Sequence, residues 1–306
     1  MMENKEFQQK IADLLPDIVL KFAQPMAKHT SFRIGGPAKV LAFPKSPEQL
    51  RQVLKVSAFL DKKYRILGAG TNVLAPDEGI EDIVICLKDC LDGMEQIDDT
   101  HIRVAAGVTM TRAAVYAAGL GLGGMEFAHG IPGTVGGGVY MNAGAYGFEL
   151  KEIIKSVRYM DNDGKIAEIL CEDCEFGYRK SIFEKQGYTI LGATFKLNKG
   201  DATEIRAAID DYTKRRVTKQ PIEKPSAGSV FKRPEGYFAG ALIEGANLKG
   251  FSIGGAQVSE KHAGFIINTG NATAKDVLDL IEHIKAVVLE KDGVVLEPEV
   301  RLVGEF

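Results

Sequence analysis

The strongest constraint on this chain is a run that carries no charge and is crowded with glycine. From Gly130 to Phe148 no residue is charged, and seven of the 19 are glycine. The run is long enough on paper to span a membrane, but Pro132, Thr134 and Asn142 interrupt it. Such a segment makes a poor helix and would leave backbone polar groups unpaired in lipid. We read it as a packed loop. Glycine weakens regular structure by about 0.5–1 kcal/mol per residue relative to alanine, so this density needs a compensating role. A large flat ligand lying against bare main chain would supply one.

A second glycine window, Gly68 to Gly70, follows a strand expected over Tyr64 to Leu67. In Gly68-Ala69-Gly70-Thr71-Asn72-Val73-Leu74 the glycines let backbone N–H groups approach an anion, and Thr71 and Asn72 add side-chain donors. One loop of this kind is compatible with a plain strand-to-loop turn. Two suit a dinucleotide, one at the pyrophosphate and the other facing a ring system. Gly119-Leu120-Gly121-Leu122-Gly123-Gly124 matches G-x-G-x-x-G, but a helix is expected before it where the dinucleotide fingerprint requires a strand. No G-x-x-x-x-G-K-[ST] occurs, which argues against a P-loop nucleotidase.

The 306 residues are 45% hydrophobic and 26% charged, an ordinary globular balance that excludes disorder. A net charge of −3 is not that of a dedicated nucleic-acid binder. Met1 to Gln9 is polar and lacks an apolar signal core. Four cysteines, Cys86, Cys90, Cys171 and Cys174, are too few for a disulfide framework. A soluble, cytoplasmic protein is expected. Cys171 and Cys174 form a C-x-x-C, yet Cys86 and Cys90 have a different spacing, so no metal site is expected.

Local signals mix helices and strands without strict alternation, so the class is α+β. Ser46-Pro47-Glu48-Gln49 reads as an N-cap, a first-turn proline and a capping-box partner, followed by Leu50, Val53, Leu54 and Ser57 at helical spacing. Strands are expected over Asp82 to Leu87, His101 to Ala106 and Tyr188 to Leu197, and a hairpin turns at Asn162-Asp163-Gly164. Thr109 to Ala118 is expected as helix, stopped by Gly119. Another helix opens at Asp201 with Glu204 and ends in Lys214-Arg215-Arg216, read as a solvated face. Lys219 to Pro234, with three prolines, is expected as loop and domain boundary. Thr273 with Asp276 opens the clearest helix, striped by Val277, Leu280, Ile281, Ile284, Val287 and Val288. Val294 to Val303 is expected as a closing strand.

Six blocks in order, from about His29 to the C-terminus, resemble the UDP-N-acetylenolpyruvoylglucosamine reductase family. They are Gly68 to Leu74, Gly124 to Gly133, Asn142 to Gly147, Tyr178 to Phe183, Ala227 to Pro234 and Leu296 to Arg301. The resemblance implies a vanillyl-alcohol-oxidase-type FAD-binding fold of two lobes plus a C-terminal α+β substrate domain. The lobes would be residues 1–95, joined by a returning strand at 298–306, and 96–216. The substrate domain would be 217–297. FAD would be bound noncovalently, with no link through His29, by Gly68, Ala69, Gly70, Thr71, Asn72, Val73, Leu74, Gly107, Ile131, Gly133, Thr134, Gly136, Gly137, Asn142, Ala143, Gly144 and Tyr146. NADPH would be the hydride donor. The substrate would be UDP-N-acetyl-3-O-(1-carboxyvinyl)-glucosamine, reduced to UDP-N-acetylmuramate for peptidoglycan, and so for cell shape and division. A monomer or weak oligomer is expected, with neither nucleic acid nor membrane as partner.

Adding hydride to an enolpyruvyl methylene builds negative charge on the neighbouring carbon and its carboxylate. The site then needs a cation on the carboxylate and a proton donor at the carbon. Arg179, flanked by Tyr178, suits the first task as a bidentate fork, and Ser229 the second. Glu299 alternates with Val300 along the last strand and shares a face with Arg301. Protonated, it would donate to the enolate; ionised, it would pair with Arg301. By the resemblance, Lys219 meets substrate, with Lys224 as competitor, and Gly228, Arg233 and His262 lie on the substrate side. The chain lacks the tyrosine-bearing loop of one branch of the family and fits the shorter branch. The alternative is a flavin oxidase of a hydroxy acid or sugar lactone, which needs a general base that Ser229 would supply poorly. A non-catalytic nucleotide-binding protein is the third reading.

Overall fold

A computed structural model describes residues 2–306, the side chains of residues 2–4 excepted. By its internal contacts the chain divides into two compact units. The first comprises Met1–Lys21, Leu41–Ala69 and Ile83–Arg216, and the second Phe22–Val40, Gly70–Asp82 and Val217–Phe306. A four-stranded sheet runs in the order Val19–Pro25, Pro37–Phe43, Ile80–Cys86, Tyr64–Leu67.

In the first unit, helix α1 (Met2–Leu14) is followed by α2 (Pro47–Phe59). Ser46 caps α2 by accepting from the Gln49 N–H, and Leu50, Val53, Leu54 and Ser57 form its buried face as the spacing indicated. The Gln49 side chain, expected to close a capping box on Ser46, accepts from the Lys45 N–H one residue earlier. Tyr64–Leu67 pairs in parallel with Ile83–Cys86. A five-stranded antiparallel sheet runs in the order Ile166–Leu170, Ile154–Met160, Thr189–Lys196, His101–Ala105, Met94–Gln96. Helix α3 (Met110–Gly119), capped by Thr109, packs Met110, Ala113, Ala114 and Ala117 into a core with Ile102, Val104, Val157 and Phe195. Gly119 lies inside the helix, and the left-handed turn comes at Gly121 (φ 68°).

The glycine-rich run is not all loop. Val135–Tyr140 forms α4, a six-residue helix containing three glycines. Thr134 starts it by accepting from the Gly137 N–H. The glycines are there for proximity: a Cβ on Gly136 would lie 2.9 Å from the Ala106 Cβ, and one on Gly138 3.0 Å from the Met110 Sδ. A short helix α5 (Ile182–Gln186) and the long α6 (Ala202–Lys219) follow. Asp201 accepts from the Thr203 and Glu204 N–H groups at the start of α6. This helix runs three residues past the basic run, and Arg216, unlike the exposed Lys214 and Arg215, is half-buried. Burial pushes its guanidinium below its ordinary value, with the Tyr146 hydroxyl acting in the opposite sense.

In the second unit, Ser226–Ser229, Phe265–Asn268, Ala256–Val258 and Ser252–Ile253 form an antiparallel sheet in that order. The stretch expected to be loop therefore holds a strand, an edge that needs only one partner. Helices α7 (Ala239–Gly245) and α8 (Ala274–Asp292) complete the unit. Thr273 and Asp276 form a reciprocal capping box, and Gly293 ends α8 at φ 68°. The α8 stripe, with Val287 half-buried at its edge, packs in one core with Phe32, Ile34, Leu74, Val230 and Ile266. The closing strand is much shorter than expected. Only Arg301–Leu302 pairs, in parallel with Val73–Leu74, and Pro298 forms an isolated bridge to Phe231. Proline has no N–H to continue a ladder.

Candidate functional site

The first unit brings two of the glycine loops together. Gly68 follows its strand and lies against Thr134, where an added Cβ would come within 2.6 Å of Oγ1. Thr134 is 1% exposed. The Gly133 carbonyl accepts from the Met110 N–H, and the Val135 and Gly136 N–H groups donate to Val108 and Ala106. These bonds fix the entry to α4. The N–H groups of Gly68, Ala69, Gly133 and Thr134 meet no acceptor among the described residues. Four such donors on two touching loops make a cradle suited to an anion. Gly137 is exposed, and its Cα faces only Thr134 Oγ1 at 3.6 Å from an added Cβ. These residues fit a phosphate-bearing cofactor.

Other predicted cofactor residues are used inside the protein. Gly107 is buried, its N–H bonds Leu91 O, and a Cβ would be 2.1 Å from Leu87 O. Ile131 donates to Ala128 O. Gly144 pairs across a tight hairpin with Glu149, while Tyr146 (φ 58°) and Gly147 (φ 93°) form its turn. Tyr146 stacks on Tyr212 at 4.6 Å, and its hydroxyl donates to Tyr212 O. Ala143 donates to Gly138 O. Asn142 is fully buried at φ 42°. Its Nδ2 donates to Glu149 Oε2 and Gly177 O, and its Oδ1 accepts from the Lys151 N–H. Gly177 opens the turn that carries Tyr178 and Arg179. Arg179 has φ 56°, and its guanidinium lies 4.8 Å from the exposed Tyr178 ring.

The second unit holds the remaining candidates. Gly70 (φ 65°) tolerates no Cβ, which would fall 2.0 Å from His29 O, and its carbonyl accepts from the Ser31 N–H. Asn72 donates to Glu299 O at 3.2 Å and accepts from the Arg301 N–H. Val73 and Leu74 pair with Arg301 and Leu302. Ser229 is exposed at the end of its edge strand, after a register shift across Ala227 and Gly228 (φ 77°). Such bulges re-aim the side chain that follows. The Glu299 N–H donates to Val230 O at 2.6 Å, so Ser229, Glu299 and Asn72 occupy neighbouring segments of one unit.

His262 accepts the Gly264 N–H at Nδ1 (3.1 Å), which leaves the ring proton on Nε2. Burial holds its imidazole below the ordinary value, as does Lys249, while Glu244 opposes them. Arg233 is exposed and stacks at 4.0 Å over the Phe238 ring. Lys219 ends α6 and Lys224 lies in the following loop, both exposed. Burial raises the Cys174 thiol to about 12 and also raises Cys171. Their Sγ atoms donate to Leu170 O and Lys151 O.

Arg216 was missed in the sequence. It lies under Gly130, whose added Cβ would meet Nε at 2.7 Å. Its signal was the spacing Ile205, Ile209, Tyr212, Thr213, Arg216, one inward face of α6. Glu149 and Lys151 were missed too, and only their contact with Asn142 marks them.

Known proteins match over the same ground. An FAD binding domain model matches residues 38–170, and the model of the UDP-N-acetylenolpyruvoylglucosamine reductase C-terminal domain matches 220–303. UDP-N-acetylenolpyruvoylglucosamine reductase of Clostridioides difficile is 49% identical over 304 residues, covering 99% of this chain and 100% of its own. That of Alkaliphilus metalliredigens is 45% identical over 304 residues, with the same coverage. The crystal structure of the reductase from Thermus caldophilus superposes with a TM-score of 0.80 at 33% identity, covering 93% of this chain and 99% of that one. The expected α+β fold, a flavin-binding region followed by the reductase C-terminal domain, is thereby borne out. Among the described residues no helix is long and apolar enough to cross a membrane. With matches this long, and with both domain models in sequence order, the chain belongs to the UDP-N-acetylenolpyruvoylglucosamine reductase family.

Proposed function

We propose that this FAD-dependent oxidoreductase takes hydride from NADPH and reduces UDP-N-acetyl-3-O-(1-carboxyvinyl)-glucosamine to UDP-N-acetylmuramate, in the cytoplasm, for peptidoglycan. The observation that carries the reading is the amide cradle of Gly68, Ala69, Gly133 and Thr134, on the loops that resemble the family's flavin site. FAD, when bound, supplies the hydride-transfer chemistry. The cradle would hold its pyrophosphate, with Gly70 to Leu74, Gly136, Gly137, Ala143, Gly144 and Tyr146 along the rest of the cofactor.

The chain's own side chains manage charge and the proton. Arg179 holds the substrate carboxylate as a fork. The Ser229 Oγ–H gives its proton to the carbon next to the carboxylate. A hydroxyl is a weak acid, but the carbanion is a strong base, so placement matters more than acidity. Glu299, when protonated, donates to the enolate oxygen. Tyr178, Lys219, Gly228, Arg233 and His262 form the substrate side, with Lys224 as a second cation. The proposed arrangement is two flavin lobes, 1–95 with 298–306 and 96–216, and a substrate domain at 217–297.

The test is a single turnover. The flavin of the purified protein is reduced without oxygen, and the enolpyruvyl sugar nucleotide is added. Return of the oxidised flavin spectrum is expected. A spectrum that stays bleached overturns the reading.

A further inference from the structure

We propose that Asn142 is a positioning residue for Arg179: its buried amide clamps the turn that carries the guanidinium. The proposal rests on the reading of Arg179 as the carboxylate fork.

The Asn142 side chain is committed within the protein. The residue is 0% exposed. The Lys151 N–H, at 3.0 Å, needs an acceptor and so fixes Oδ1 toward it. Nδ2 then faces Glu149 Oε2 at 3.1 Å and Gly177 O at 3.0 Å. Both amide hydrogens are used, so no side-chain donor is left for a cofactor. Asparagine also tolerates the left-handed backbone at this position (φ 42°) better than most residues.

The partner carbonyl is the functional clue. Gly177 and Lys180 exchange both backbone hydrogen bonds, at 3.1 and 3.2 Å, around Tyr178 and Arg179. Arg179 takes φ 56°, a conformation usually left to glycine or asparagine. A strained residue keeps such a shape only where its surroundings over-determine it. One short stretch of chain at the end of α4 supplies two of the bonds that do so. The Ser181 Oγ–H donates to Tyr140 O at 2.7 Å, beyond the far end of the turn, and Asn142 holds the near end. Residues 140–142 therefore grip both feet of the Arg179 turn. The Asn142 block and the Tyr178–Arg179 block act as one device, and losing the grip frees the guanidinium to wander.

The experiment compares Asn142→Gly, which keeps the backbone conformation, with the isosteric Asn142→Asp and with Ser181→Ala, which cuts the other foot. Each is read for FAD affinity, for the rate at which the enolpyruvyl sugar nucleotide reoxidises the reduced holoenzyme, and for hydrogen exchange at the Lys180 amide. We expect FAD affinity within about threefold of wild type and reoxidation slowed about tenfold or more. Lys180 exchange should be faster by about tenfold. In an Arg179→Ala background, Asn142→Gly should cost less than about threefold further, because the two act as one unit. A large loss of FAD affinity with normal turnover of the loaded enzyme overturns the proposal, as do effects that multiply in the double variant. If Arg179→Ala itself turns over normally, the reading of Arg179 fails. Lys180 exchange then decides the clamp alone, and unchanged exchange overturns it.

Discussion

Two adjacent glycines in α4 should respond to alanine in opposite ways. Replacing glycine by alanine inside a helix contributes about 0.5–1 kcal/mol of stability. At Gly137 the new Cβ would meet only Thr134 Oγ1, at 3.6 Å, an ordinary contact. Nothing opposes the gain, so FAD-free Gly137→Ala should be more stable by about that amount. At Gly136 the Cβ would come within 2.9 Å of Ala106 Cβ and 3.2 Å of its carbonyl oxygen. Ala106 cannot retreat easily, since its N–H bonds Leu191 O and its carbonyl accepts the Gly136 N–H. Overpacking of this kind costs about 1–3 kcal/mol and outweighs the helix gain, so Gly136→Ala should be less stable. Urea denaturation of the FAD-free proteins gives both signs. FAD titration by fluorescence gives the second half of the prediction. If the open face of Gly137 belongs to the cofactor, its methyl group should weaken FAD by about tenfold or more, or about 1.4 kcal/mol. Equal stability of the two variants refutes the close approach at Gly136. Unchanged FAD affinity in Gly137→Ala refutes the placement of the cofactor.

Ser229→Ala should slow substrate-driven flavin reoxidation by about a hundredfold or more while FAD binds normally; an undiminished rate removes Ser229 as proton donor. Asp77 accepts from the Ala274 and Lys275 N–H groups at the start of α8. Asp77→Ala should therefore cost about 1 kcal/mol in urea denaturation, and an unchanged midpoint would show that Thr273 and Asp276 suffice. His262 is held neutral, so its folded value lies below the unfolded one of about 6.5. The unfolded chain takes up its proton first as pH falls, so the contribution of His262 is complete above that value and lost below it. Against His262→Gln, whose amide oxygen accepts the same Gly264 N–H, wild type should lose stability as pH falls through about 6.5. A difference that stays flat with pH counts against this.

What could be read from the sequence was local. Ser46 and Thr273 announced their helices because a cap and its partner lie within one turn. The α8 stripe announced its buried face for the same reason. The turn residues Asn162-Asp163-Gly164 announced the hairpin. Helix α4 was hidden because its glycines oppose helix by propensity, and the approach of Ala106 and Met110, which explains Gly136 and Gly138, is not written locally. The closing strand was overdrawn because apolar alternation says nothing about whether a partner is present, and Pro298 breaks the ladder. At the candidate site, glycine density marked the loops but could not separate Gly137, open on one side, from Gly107, packed on carbonyl oxygens. Asn142 was read as a cofactor residue from its motif. Its actual hydrogen-bond partners stand 7, 9 and 35 residues further on, beyond the reach of any local pattern.

The way the second unit is threaded has a consequence for synthesis. Phe32, Ile34 and Leu74 leave the ribosome early, yet the residues that cover them run from Ala227 to Val300. Until Val217 onward has been translated, these early apolar side chains lack most of the core that covers them. A nascent chain stalled near Arg216 would carry a sticky surface, the kind of species that chaperones retain. Fragments ending there should precipitate where the full-length polypeptide does not.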